Sequence, residues 1–124
     1  MAYQPLFWDS FANCKENHKR DTVLIERLEK MVNRVIENPY HSQSHLLDKK
    51  GGIDLRGKRS IHFASHYCII YLFCEDCIKN GFKQKGFNNC YFCSAMPHNS
   101  IIFLAFSHHD NIYAYQWGIP NYKI

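Results

Sequence analysis

Between Leu24 and Ile36 the apolar residues Leu24, Leu28, Met31, Val32, Val35 and Ile36 recur at helical spacing. Glu26, Arg27, Glu29, Lys30, Asn33 and Arg34 fill the opposite face, so this stretch predicts an amphipathic helix. Asp21 is placed to cap its start, and Asn38-Pro39 stops it. Upstream, Pro5 to Trp8 reads as a short strand. Asp9 or Ser10 opens a first helix running to about Arg20, with a thin apolar face of Phe11 and Cys14. Downstream, the polar stretch from Tyr40 to Gly57 reads as a loop. Ser60 to Ala64 alternates, with Ile61 and Phe63 on one side and Ser60, His62 and Ala64 on the other. Tyr67 to Phe73 and Ile101 to Phe106 are nearly continuous apolar runs, the pattern of strands buried on both faces. The Gly-, Asn-, Lys- and Cys-rich stretch from Cys74 to Pro97 reads as an insertion between them. The expected class is α+β: a helical pair packed on one face of a mainly antiparallel sheet.

The length of 124 residues suits one domain, and 46% hydrophobic residues suffice for a core. A domain this small gains from a metal staple. The net charge of +4, with eight histidines able to add more at lower pH, suits a polyanionic partner without demanding one. No charged segment followed by an apolar one marks the N-terminus, and the longest apolar run, Tyr67 to Cys74, is too short to span a bilayer. A cytoplasmic protein with no membrane partner is expected. In a reducing compartment paired cysteines point to metal. Cys74-Glu-Asp-Cys77 and Cys90-Tyr-Phe-Cys93 are two C-x-x-C knuckles separated by twelve residues. Four thiolates so spaced predict one tetrahedral, structural zinc ion per chain, with Gly81 and Gly86 easing the return of the chain. Redox-active pairs, or a site that has lost its metal, are the competing readings. Cys14 and Cys68 read as buried and inert.

From the second helix onward the chain resembles the RelE/ParE superfamily of toxins. The resemblance is carried by Glu37-Asn-Pro-Tyr40, Leu55-Arg-Gly-Lys-Arg-Ser-Ile-His-Phe63, Tyr67-Cys-Ile-Ile-Tyr71 and Ile101-Ile-Phe-Leu-Ala-Phe-Ser-His-His-Asp-Asn-Ile-Tyr113. It spans most of the chain apart from the zinc insertion (residues 74–97) and the tail (residues 114–124). It implies a RelE-like fold, an antitoxin partner, and cleavage of messenger RNA on the ribosome. The similarity is greatest to the histidine-using branch typified by the YafQ toxin. By that likeness His62 and His109 fall at catalytic positions, with His109 preferred over His108. His45 falls near a third such position, and His66 stands where the branch has an aspartate.

Metal-free RNA cleavage needs a base for the 2′-hydroxyl, an acid for the departing 5′-oxygen, and cations for the charged phosphorane. The expected assignment gives His62 and His109 the proton transfers. Arg59 is the main cation, His66 and Tyr113 are auxiliary catalytic residues, and Arg56, Lys58, Arg59 and His45 contact RNA. The same residues also read as a solvated strand face and a soluble basic turn, and Tyr113 as a ring packed on the sheet. Two rival functions remain: a ParE-like inhibitor of DNA gyrase that is not an enzyme, and a zinc-binding interaction domain of the same fold without catalysis.

Overall fold

The computed structural model describes residues 3–47, 49–50, 53–87 and 97–108. The elements run β1 (Gln4–Phe7), α1 (Asp9–Asn17), α2 (Thr22–Glu37), β2 (His45–Leu46), β3 (Lys49–Lys50), β4 (Ile53–Asp54), β5 (Arg59–Phe63), β6 (Tyr67–Phe73), α3 (Cys74–Asn80) and β7 (Ser100–His108). Five strands form one sheet in the order β1-β7-β6-β5-β2, and β3 and β4 pair as a separate hairpin. β1 lies parallel to β7; the β7-β6-β5-β2 pairings are antiparallel. The class is α+β, with helices packed on a mixed sheet, as expected.

α2 forms where its apolar stripe predicts. Asp21 caps it, its Oδ1 accepting from the Leu24 amide at 3.1 Å, and Asn38 ends it in extended conformation ahead of Pro39. Its buried face presents Leu24, Leu28, Met31, Val32 and Val35 to the sheet. There they join Phe11, Ile61, Phe63, Ile69, Tyr71, Phe73, Ile101, Phe103 and Phe106 in one cluster. The opposite face of the sheet is apolar as well. Cys68, Ile70, Leu72, Ile102, Leu104 and Ala105 form a second cluster with Leu55, and Trp8 and Leu47 pack against it. β6 and β7 are therefore buried on both faces, which is why their sequences run apolar without alternating. Register shifts between Ile70 and Tyr71: Ile70 faces Ala105 while Tyr71 faces Phe103, leaving Leu104 as the extra residue. This bulge puts the adjacent Leu104 and Ala105 into the same cluster.

Two stretches differ from expectation. The predicted loop from Tyr40 to Gly57 contains β2, which extends the sheet, and the β3–β4 hairpin. The stretch read as an insertion opens with a helix that was not expected there, Cys74 to Asn80, continuous with the end of β6. Glu75 and Asp76 in its first turn, Lys79 in its last, and Gly81 closing it in left-handed conformation (φ 65°) are ordinary helix-end chemistry. No described helix is long and apolar enough to cross a membrane.

Leu28→Ala removes a side chain only 1% exposed at the centre of the helix–sheet cluster and is expected to cost about 2–5 kcal/mol. Asp21→Ala loses the helix cap, at about 1 kcal/mol. Val23, 61% exposed, should tolerate Ala within about 0.5 kcal/mol. Denaturant unfolding of the three variants checks the order.

Candidate functional site

β2 pairs with β5 so that His45 stands opposite Ser60 and Leu46 opposite Arg59. His45 and His62 then lie on one face, diagonally related, with ring centroids 6.4 Å apart and planes 25° from parallel. Both are exposed. The face they share is not the solvated surface expected from the alternation of β5. Ser60 is buried, and Cys68, the residue paired with His62, is fully buried. Burial pushes the Cys68 thiol up, with the Ser60 hydroxyl acting in the opposite direction, so His62 has a neutral thiol for a strand neighbour. The two histidines sit at the rim of an apolar face.

The β5–β6 hairpin turns through Ala64, at φ 47°, and closes on the pair Phe63 and Tyr67. His66 leaves this turn beside His108, with ring centroids 5.7 Å apart. Tyr67 stands opposite His108 across the β6–β7 ladder, and their rings are 5.5 Å apart. Strand alternation puts Tyr67 and His108 on the helix side, one step out of phase with His62. His18, singled out by no motif, completes this group: its Nδ1 donates to the Cys14 carbonyl at 2.8 Å, and its ring packs on Tyr67 and Phe106. The structure thus pairs His62 with His45, and His66 with His108. His109 and Tyr113 lie outside the described residues, as does the tail of residues 114–124.

The basic segment is placed differently from expectation. Arg59 shares strand parity with Ile61 and Phe63, so it faces the helix side, away from His62. Its guanidinium grips Asp76 of α3 with two bonds, Nε to Oδ2 at 2.9 Å and a terminal nitrogen to Oδ1 at 3.2 Å. Asp76 is 2% exposed, and Asn80 Nδ2 also donates to it at 3.0 Å. The rings of Tyr40 and Phe73 flank the guanidinium at 5.4 and 5.7 Å. Lys58, expected to contact phosphate, is fully buried, and its Nζ donates to the Phe87 carbonyl at 3.1 Å. Arg56 lies over the Phe87 ring, 4.4 Å from its centroid. In this arrangement Arg59 is not beside His62 as a transition-state cation, and Lys58 does not face solvent.

Around the Arg59–Asp76 pair the chain gathers phenols and carboxylates. Tyr3 donates to both Glu75 oxygens at 3.1 Å. Tyr71 donates to the Pro39 carbonyl at 2.8 Å and is bonded to the Ser44 hydroxyl at 2.5 Å, which ties the end of α2 and the following turn to the sheet. Desolvation, reinforced by the charges of Glu75 and Asp76, pushes the Tyr40 phenol up to about 12. Cys74 and Cys77 are both buried on α3. Cys90 and Cys93 lie outside the described residues. Among the described residues no group of three or more His, Cys, Asp or Glu side chains could hold a metal ion.

No protein-family model matches the chain, and no curated protein matches it. Among solved structures the chain is similar to one in the crystal structure of the toxin–antitoxin complex RelBE2 from Mycobacterium tuberculosis. The TM-score is 0.54 at 15% identity, over 87% of this chain and 99% of that one. At this identity the likeness is one of fold.

Asp76→Ala leaves the Arg59 guanidinium largely buried without its partner and is expected to destabilise by about 3–5 kcal/mol, read by denaturant unfolding. The raised pKa of Tyr40 favours the neutral phenol in the folded state. Its contribution to stability is complete below the ordinary tyrosine value of about 10 and is lost as pH rises toward about 12. Tyr40→Phe should therefore lose less stability than the parent between pH 9 and about 12. Equal loss in both would show that Tyr40 is not the group responsible.

Proposed function

We propose that this chain is the toxin of a toxin–antitoxin pair and an endoribonuclease that cuts messenger RNA on the ribosome without a catalytic metal. The observation that carries the reading is the exposed His45–His62 pair at the rim of a RelE-like sheet. A solved structure of similar fold belongs to a toxin–antitoxin complex, which supports the toxin role and an antitoxin partner.

The pair supplies the chemistry that RNA offers to two imidazoles. One neutral ring accepts the proton of the 2′-hydroxyl as its oxygen attacks phosphorus. The other, protonated, gives a proton to the departing 5′-oxygen. A 2′,3′-cyclic phosphate and a 5′-hydroxyl result, with no net change in protons. We give His45 the second proton transfer, which the family resemblance gives to His109, because β2 brings it to the strand of His62. The cation for the phosphorane does not come from Arg59, which is engaged by Asp76; the imidazolium itself carries that charge.

Cys74 and Cys77, with Cys90 and Cys93, are proposed to hold one structural zinc ion. The described half of this donor set fits: two thiols, three positions apart, in the first turn of a helix that a buried ion pair fastens to β5. When bound, zinc would close the insertion and supply folding energy.

His62→Ala and His45→Ala should each reduce cleavage by ~10²- to 10⁴-fold while leaving the melting transition unchanged. Mapping of messenger ends in a reconstituted translation reaction reads this, and the rate should peak near neutral pH. Undiminished cleavage in both variants removes the catalytic assignment. Intact messenger with blocked DNA supercoiling would favour the gyrase reading instead. Metal analysis should find close to one zinc per chain, and Cys74→Ser should lower both metal content and stability. Zinc-free protein of full stability would dismiss the site.

A further inference from the structure

The basic segment before β5 meets one stretch of chain at three points, and each contact has the chemistry of a nucleic acid. Arg59 grips the Asp76 carboxylate with two parallel bonds, the fork geometry it would use on a phosphate. Arg56 lies 4.4 Å over the Phe87 ring, as a guanidinium lies over an unstacked base. Lys58 Nζ bonds the Phe87 carbonyl oxygen at 3.1 Å, as it would a phosphate or sugar oxygen. All three partners belong to the segment from Cys74 to Phe87, which leaves β6 and folds back over the entry to β5. Antiparallel pairing of β5 and β6 makes this possible, because Arg59 stands opposite Tyr71, two residues before β6 ends.

We infer that the segment from Cys74 to Phe87 is an intramolecular strap over a single-stranded RNA site formed by Arg56, Lys58 and Arg59, and that RNA competes with it. The inference takes RNA as the polyanion from the proposed function but does not depend on cleavage. The α3 end of the strap is fastened by the buried Arg59–Asp76 pair, and Phe82 further along it is buried as well. A competing strand replaces the Phe87 ring by a base and the Phe87 carbonyl by a phosphate. Net charge alone does not reveal such a site, because the cations are covered until a competitor arrives.

The test uses a 2′-O-methyl oligoribonucleotide, which lacks the attacking hydroxyl and so reads binding without cleavage. Phe87→Ala removes the ring under Arg56 and leaves the Arg59–Asp76 pair intact. It should bind the oligonucleotide roughly tenfold more tightly than the parent. The slope of log affinity against log salt should steepen by about one, as Lys58 and Arg56, but not the still-paired Arg59, gain access to the strand. Arg56→Ala in the same background should remove most of the gain. In the parent chain, hydrogen exchange at residues 77–87 should quicken when the oligonucleotide is saturating. Unchanged affinity in Phe87→Ala, absence of binding by both proteins, or exchange at 77–87 that is unchanged or slowed by RNA each overturns the strap. If Phe87→Ala fails to fold, the exchange measurement on the parent decides alone. Binding as described with unmodified RNA left uncut would instead discard the ribonuclease reading and leave the strap standing.

Discussion

Burial of β6 and β7 on both faces is the constraint from which the rest of the structure follows. A strand pair lined by Ile69, Tyr71, Phe103 and Phe106 on one side and Ile70, Leu72, Leu104 and Ala105 on the other must be covered twice. α1 and α2 provide one cover; Leu55 belongs to the other, with Leu47 packed against it. With the middle of the sheet committed to apolar contact, polar chemistry is confined to strand ends and to the flanking strands. Both histidine pairs obey this: one spans β5 and β2, the other links the β5–β6 turn to the end of β7. A candidate site at the rim of an otherwise dry sheet is a consequence of the core.

The Arg59–Asp76 pair has a different role. Buried ion pairs add little net stability because desolvation offsets attraction, yet removing one partner is costly. This pair ties the first residue of β5 to the first turn of α3, and Tyr71 ties the same end of the sheet to the turn after α2. Three segments that the sequence keeps apart are fixed against one another at one end of the sheet. Whatever alters α3, including the state of its two cysteines, is felt at the strand that carries His62.

The parts legible in the sequence were those governed by periodicity. The stripe from Leu24 to Ile36, its Asp21 cap, and the apolar runs of β6 and β7 appear where the pattern put them, because burial alone decides them. β5 was legible as a strand, but its polar parity was misjudged: Ser60 reads as solvated, and only the second apolar cluster, assembled from distant segments, shows that it is buried. The parity of Arg59 was available from the same alternation that placed His62, and it argues against joining the two. α3 carried acidic residues in its first turn and Gly81 at its end, but the metal-ligand spacing of the cysteines dominated the reading of that stretch. β2 is two residues long, too short for any periodic signal, so the approach of His45 to His62 depends on a pairing that only the fold reveals.

Pro5 sits in β1, the outermost of the described strands on one side of the sheet, beside the exposed Leu6 and Phe7. The Gln4 and Trp8 amides point inward to carbonyls of β7 and its approach, so the positions between them at odd numbers turn their backbone outward. At one of these the nitrogen carries no hydrogen. A neighbouring molecule laid along this border finds apolar side chains but an interrupted row of donors. Open-ended strand addition, the route by which such borders seed aggregates, is therefore broken at its first rung.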